Sequence, residues 1–295
     1  EENLVEKALG KDSFLPENGC PLEKVNISKR VFEENVLLDR LAEKLITHKG
    51  KSITPRMFQY NLLKRAKQNK KHIVLPEGYD ERILAAAKML SDSDAVNLTL
   101  IGEKSKIAAR LQSLEIALDL SKVAIVNPIE SEHFEDYAET LFELRKHKNI
   151  NLPMARDLME DVSYYGTMMV YKGHADGMVS GAVHTTQHTI LPALQFVKTK
   201  PDVSVVSSVF FMCLADRVTV FGDCAINPNP TAEQLSEIAI SSAETSMAFN
   251  IEPKIAMLSY SSGTSGIGED GDIVRAATAL VKTLKEEVGL PIHFH

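Results

Sequence analysis

Three short apolar runs, each followed by a helical pattern, constrain this chain more than any other feature. Residues 72–76 (His-Ile-Val-Leu-Pro), 96–102 and 123–127 are rich in Val, Ile and Leu and are too short to be helices. Gly78 turns the chain after the first run, and Asp80 stands as N-cap of a helix with Ile83, Leu84, Ala87 and Leu90 on one face. Helical patterns over 106–111 and about 132–146 follow the second and third runs. Neighbouring strands that run in the same direction need a crossover of about a dozen residues, which a helix supplies. The alternation predicts an α/β protein with a doubly wound, mostly parallel sheet.

The flanks follow other rhythms. A polar opening, residues 1–53, reads as the end of a preceding domain plus a connector, with one helical stretch over 32–45. Thr54 precedes Pro55, an N-cap followed by proline at the first helical position, so a helix is expected over 55–67. Two more helices are expected near 155–161 and 164–171. Residues 214–217 separate two β-rich runs so closely that only a hairpin can join them, which predicts a mixed sheet in the second half. Thr231 is placed to cap a helix over about 232–249.

Composition narrows the class. Hydrophobic residues make up 44% and charged residues 25%, as in a well-solvated globular protein. A formal charge of −7 argues against nucleic-acid partners, which call for a basic face. The chain has no apolar stretch near the ~20 residues of a membrane span, and no secretory leader opens it. The three cysteines lack metal-ligand spacing and read as buried, reduced thiols of a cytoplasmic protein.

Chemistry points to four segments in which apolar runs meet loops of Gly, Ser, Thr and Asn: 177–186, 203–209, 220–231 and 255–266. In an open α/β sheet such loops gather at one edge, where ligands bind. Small hydroxyls and backbone N–H groups suit phosphate oxygens because they donate without bulk. Candidate ligand residues are Ser180, His184, Thr185 and Thr186 in the first segment and Ser207 and Ser208 in the second. Asp223, Asn227 and Thr231 come from the third, and Ser259, Ser262, Thr264 and Ser265 from the last. The last loop is neither a Walker loop nor a Rossmann fingerprint. For each there is a plainer reading: a rigid turn, a surface linker, or a histidine that orders its own loop. His293 and His295 alternate on an expected strand, a geometry known for metal ligands, but no third ligand is in view and no metal is expected.

Taken together, residues 54–58, 73–78, 179–186, 207–212, 222–235 and 259–266 resemble phosphate acetyltransferases over about residues 52–280. The resemblance implies two α/β subdomains with the ligand cleft between them, and an assembly of at least two copies. It implies reversible acetyl transfer between coenzyme A and inorganic phosphate, with coenzyme A a substrate and no cofactor. The polar opening is similar to the connector of the long, multidomain form.

Two departures stand out. The family's catalytic Ser, Arg and Asp motif has no match before His295, so the chain is read as a fragment of low activity whose catalytic residues are unassigned. Leu191 stands where many relatives carry Arg. Residues 281–295 form an anomalous tail, closer to biotin-dependent carboxyltransferases. Alternatives are a non-catalytic acetyl-CoA-sensing domain of the kind fused to malic enzymes, a phosphate butyryltransferase, and a metal-dependent decarboxylating dehydrogenase. The last would need clustered aspartates, which the sequence lacks.

Overall fold

The computed structural model describes residues 30, 53–201, 203–260, 268–288 and 293–294. The chain divides into two compact units, Glu1–Ile53 and Thr54–His295, and the elements below belong to the second. The helix expected over 32–45 lies outside the described residues.

Helix α1 (Pro55–Gln68) begins as its sequence predicts, with the Thr54 hydroxyl accepting from Met57 N–H. The repeats follow: β1 (His72–Leu75), α2 (Glu81–Ser93), β2 (Asn97–Ile101), α3 (Lys104–Ser113), β3 (Val123–Val126) and α4 (Phe134–Arg145). Helices α5 (Leu152–Glu160) and α6 (Val162–Tyr171) then return the chain to β4 (Gly177–Met178). The four strands form one parallel sheet in the order β3-β2-β1-β4.

The period of two along these strands places a core on each face. Val74 and Ile101 pack with Tyr137, Leu141, Met159, Tyr165 and Met168 of α4, α5 and α6. Their neighbours Leu75 and Leu100 point the other way, into Leu84 and Ala87 of α2 and Ile107 and Leu111 of α3. Helices on both faces make the sheet doubly wound.

The strand order decides where a ligand can enter. The chain moves outward from β1 through β2 to β3, then comes back to add β4 on the other side of β1. The loops after β1 and β4 therefore diverge at a topological switch point, where open sheets bind ligands. Asp176 ties β4 to β1 at the opposite, amino end of the sheet: its carboxylate accepts from His72 N–H at 2.8 Å and Lys71 Nζ at 3.0 Å.

Beyond β4 come α7 (Thr186–Pro192), a π-helical turn over 193–197, β5 (Val209–Cys213), β6 (Val218–Gly222), α8 (Ala232–Ala248), β7 (Lys254–Ile255), α9 (Glu269–Val288) and β8 (His293–Phe294). The short 214–217 link does close a hairpin, β5 with β6 antiparallel. The mixed sheet is corrected, however: the hairpin is a two-stranded sheet by itself, and β7 pairs in parallel with β8 in another. Phe58 of α1 packs on Phe211 of β5 at 5.2 Å between rings, and Phe211 on Phe249 at 4.5 Å, which ties the hairpin to α1 and α8. Cys213 is exposed and Cys224 half-buried, contrary to the buried thiols expected, because Cys213 ends an open-sided hairpin. No helix among the described residues is long and apolar enough to cross a membrane.

Candidate functional site

The loop after β4 wraps around a carboxylate that sequence reading passed over. Glu77, just past β1, is only 5% exposed. One of its oxygens accepts from the N–H groups of Gly181 and Ala182 at 3.0 and 2.8 Å, the other from Val183 and His184 at 2.7 and 2.8 Å. Four consecutive donors fill the capacity of a carboxylate, about four lone-pair positions. Burial pushes the Glu77 carboxyl up, but the N–H bonds from His184, Val183 and Ala182 outweigh it and leave the group below its ordinary range. Residues 181–184 thus form an anion nest at the switch point, with an anion of the chain itself in it.

The surroundings brace this loop. Asp80 caps α2 and grips Arg82, Nε to Oδ1 at 3.0 Å and Nη2 to Oδ2 at 2.9 Å, and this bond with Arg82 holds the Asp80 carboxyl down at about 2. The Arg82 guanidinium also donates to the Ala182 carbonyl. His184 Nδ1 lies 3.1 Å from a Glu77 oxygen yet off the line of a hydrogen bond, and its ring stacks on His188 with centroids 4.6 Å apart. His188 Nε2 meets Asp161 Oδ2 at 2.9 Å, and the other Asp161 oxygen caps α6. Thr185 is the N-cap of α7, its hydroxyl oxygen accepting from His188 N–H at 3.2 Å. Ser180 Oγ is buried with no hydrogen-bond partner.

A second carboxylate organises the hairpin end. Register pairs Val209 with Gly222, so Ser208 before β5 and Asp223 after β6 meet at the same end. Asp223 Oδ1 accepts from Ser208 N–H at 2.9 Å and from the Ser208 hydroxyl; Oδ2 accepts from Ile226 N–H at 3.2 Å and Asn227 N–H at 2.6 Å. Asn227 Nδ2 donates to Asp223 at 2.9 Å and to the Val206 carbonyl at 2.8 Å. Burial raises the Asp223 carboxyl, but the bonds from Ser208 and Asn227 prevail and hold it far below the usual carboxylate range. Ser207 is half-buried beside this knot. Thr231 and Gln234 form a reciprocal capping box at the start of α8.

The loops therefore do not line one edge of one sheet, as expected, but come from separate sheets. Nor are their N–H groups bare: those of 181–184 serve Glu77, and those of 226 and 227 serve Asp223. Two of them nonetheless border the same hollow. A cleft of about 410 Å³ is lined by Thr186, Gln187, Ile190, Leu191 and Leu194 on one side and Ala225 and Ile226 on the other. Its wall is aliphatic at Ile190, Leu191 and Leu194. A further cleft of about 520 Å³ lies between residues 228–232 and the start of α9. A third cavity, about 310 Å³ between β6, α8 and β7, is lined by none of the predicted site residues. Ser259 is exposed. Ser262, Thr264, Ser265 and His295 lie outside the described residues, as does the side chain of His293.

Glu77, Arg82, His188 and Asp161 were missed. Each is ordinary in sequence, and Glu77 meets its partners across more than a hundred residues. The one available signal was Glu77 standing at the carboxyl end of the first strand of a doubly wound sheet.

Comparison with known proteins fits this arrangement. The family model described as "Phosphate acetyl/butaryl transferase" matches residues 57–291. A phosphate acetyltransferase of Synechocystis sp. is 52% identical over 273 residues, covering 92% of this chain and 39% of that protein. One from Corynebacterium glutamicum is 51% identical over 232 residues, covering 79% of this chain and 70% of that one. The chain thus spans about two fifths of the length of the first of these relatives. A solved phosphotransacetylase from Streptococcus pyogenes superimposes with a TM-score of 0.72 at 40% identity, covering 81% of this chain and 72% of that one. Another from Staphylococcus aureus gives 0.71 at 41%, covering 80% and 72%. By fold, by loop pattern and by these matches, the chain belongs to the phosphate acetyl/butaryl transferase family.

Proposed function

We propose that this protein transfers an acetyl group reversibly between coenzyme A and inorganic phosphate. In the direction of thioester formation, the thiol of coenzyme A loses its proton and its sulfur attacks the carbonyl carbon of acetyl phosphate. The C–S bond forms, the carbonyl oxygen carries negative charge, and collapse breaks the C–O bond to release phosphate, on which the proton lost by the thiol ends. Such a reaction needs hydrogen-bond donors for the oxyanion and the departing phosphate, and an apolar wall for the acyl and thiol parts. It calls for no cofactor, since coenzyme A is a substrate, and this reading uses no metal.

The observation that carries the proposal is the shared hollow. Thr186, from the switch-point loop, and Ala225 and Ile226, from the hairpin loop, border one cleft. Ser180, Thr185 and Thr186 are our candidates for the phosphate. Ser208, Asp223, Asn227 and Thr231 hold the loops in shape, because their polar atoms are engaged with one another or with α8. His184 stands beside Glu77 and shapes the loop. The serines and threonine of 259–265 complete the set on this reading.

We further read the protein as cytoplasmic and as a homo-oligomer of at least two copies. Phe210 and Phe221, a cross-strand pair on the hairpin, are each 54% exposed, and a partner copy would cover them. The decisive experiment is an assay of the full-length protein with acetyl phosphate and coenzyme A, following the ultraviolet absorbance of the thioester. Formation of acetyl-CoA, with phosphate released in equal amount, is expected. A full-length protein that forms none contradicts the proposal.

A further inference from the structure

The Glu77 carboxylate is buried, ionised and saturated. Four backbone donors occupy its two oxygens, and the Ala182 carbonyl within the same loop is held by Arg82. A carboxylate so bound is a poor base, because taking up a proton means giving up the bonds that stabilise its charge. It also blocks the nest: no external anion can reach the N–H groups of 181–184 while Glu77 is seated there. The hydroxyls that flank the nest are Ser180 before it, whose Oγ is buried without a partner, and Thr185 and Thr186 after it, of which Thr185 also accepts from His188 N–H. Residue 186 is the one that lines the cleft.

We propose that Glu77 is a positioning residue: its carboxylate is a built-in anion that closes the 181–184 loop and so fixes the flanking hydroxyls for the phosphoryl group of the substrate. It acts through the loop and does not itself touch substrate. The proposal deepens the acetyl-transfer reading and rests on it for the kinetic part alone. The seating of a carboxylate in the nest can be tested without any turnover.

The test uses Glu77→Ala and Glu77→Gln with formate as the probe. Removing the side chain to Ala leaves four part-buried donors without their acceptor, and the thermal unfolding midpoint is expected to fall by about 10 °C. Formate at tens of millimolar fits the vacated nest and is expected to restore most of that loss in Glu77→Ala. It should do nothing for the wild type, or for Glu77→Gln, whose amide still fills the space. In the full-length protein, Glu77→Ala is expected to raise KM for phosphate at least about tenfold. KM for coenzyme A and kcat per folded molecule should stay within about twofold, and formate should lower the phosphate KM again. A general loss of folded protein would not produce that split. If Glu77→Ala fails to fold without formate but folds with it, the proposal stands. If it folds in neither condition, Glu77→Gln decides, with the same rise in phosphate KM expected. Wild-type phosphate KM in the folded variant overturns the proposal, as does a Glu77→Ala midpoint indifferent to formate. A wild-type protein with no acetyl transfer, but a Glu77→Ala midpoint that formate restores, would defeat the functional reading and leave the built-in anion in place.

Discussion

Two carboxylates of the chain do at the residue scale what a bound anion does in a phosphate loop. Glu77 gathers four N–H groups of one loop, and Asp223 joins the segment before β5 to the segment after β6. Charge-assisted hydrogen bonds are each worth about 1.5–3 kcal/mol, and their loss leaves donors stranded. Asp223→Asn is expected to lower stability by about 3 kcal/mol, measured by chemical denaturation at neutral pH. The pH dependence has a definite sign. Because the folded Asp223 carboxyl ionises more readily than the unfolded one, its contribution is complete above the ordinary carboxylate value of about 4 and is lost as pH falls below it. Asp223→Asn should flatten the fall in stability below about pH 4; a variant with the same acid slope as the wild type contradicts this role.

At the scale of elements, close approach fixes what sequence period leaves open. A Cβ on Gly78 would stand 2.5 Å from the Ile101 carbonyl oxygen and 3.1 Å from Ile107 Cδ1. Gly78→Ala must push β2 away from the turn after β1, and a loss of about 3 kcal/mol in denaturant with an unchanged m-value is expected. A cost under about 0.5 kcal/mol would show that the turn has room. The helices were legible because their apolar spacing and caps are local: Thr54, Asp80 and Thr231 each cap the helix their position predicts. The strands of the second half were less so. Residues 203–208 look β-like in sequence, yet the strand begins at Val209, because Ser204 and Ser208 bond to the carboxylates of Glu237 and Asp223 instead of to a neighbouring strand. The hairpin was readable from its short link. That it forms a sheet of its own depends on tertiary packing, which no local pattern records.

For the molecule as a whole, helix α7, which follows the switch-point loop, and the loop after the hairpin supply the two walls of one cleft. The sequence showed that hydroxyl-rich loops were present and that the first half was doubly wound. It could not show that their N–H groups were already engaged, since Glu77 reaches its partners only once β4 lies beside β1. Nor could it show that a hairpin register, not a common sheet edge, brings Ser208 to Asp223. The most direct measurement is a structure of the full-length protein with coenzyme A and phosphate bound. Ligand in the hollow between Thr186 and Ile226, with the Glu77 carboxylate still seated in its nest, is the expected result. Ligand bound instead in the cavity between β6, α8 and β7, with that hollow empty, would contradict it.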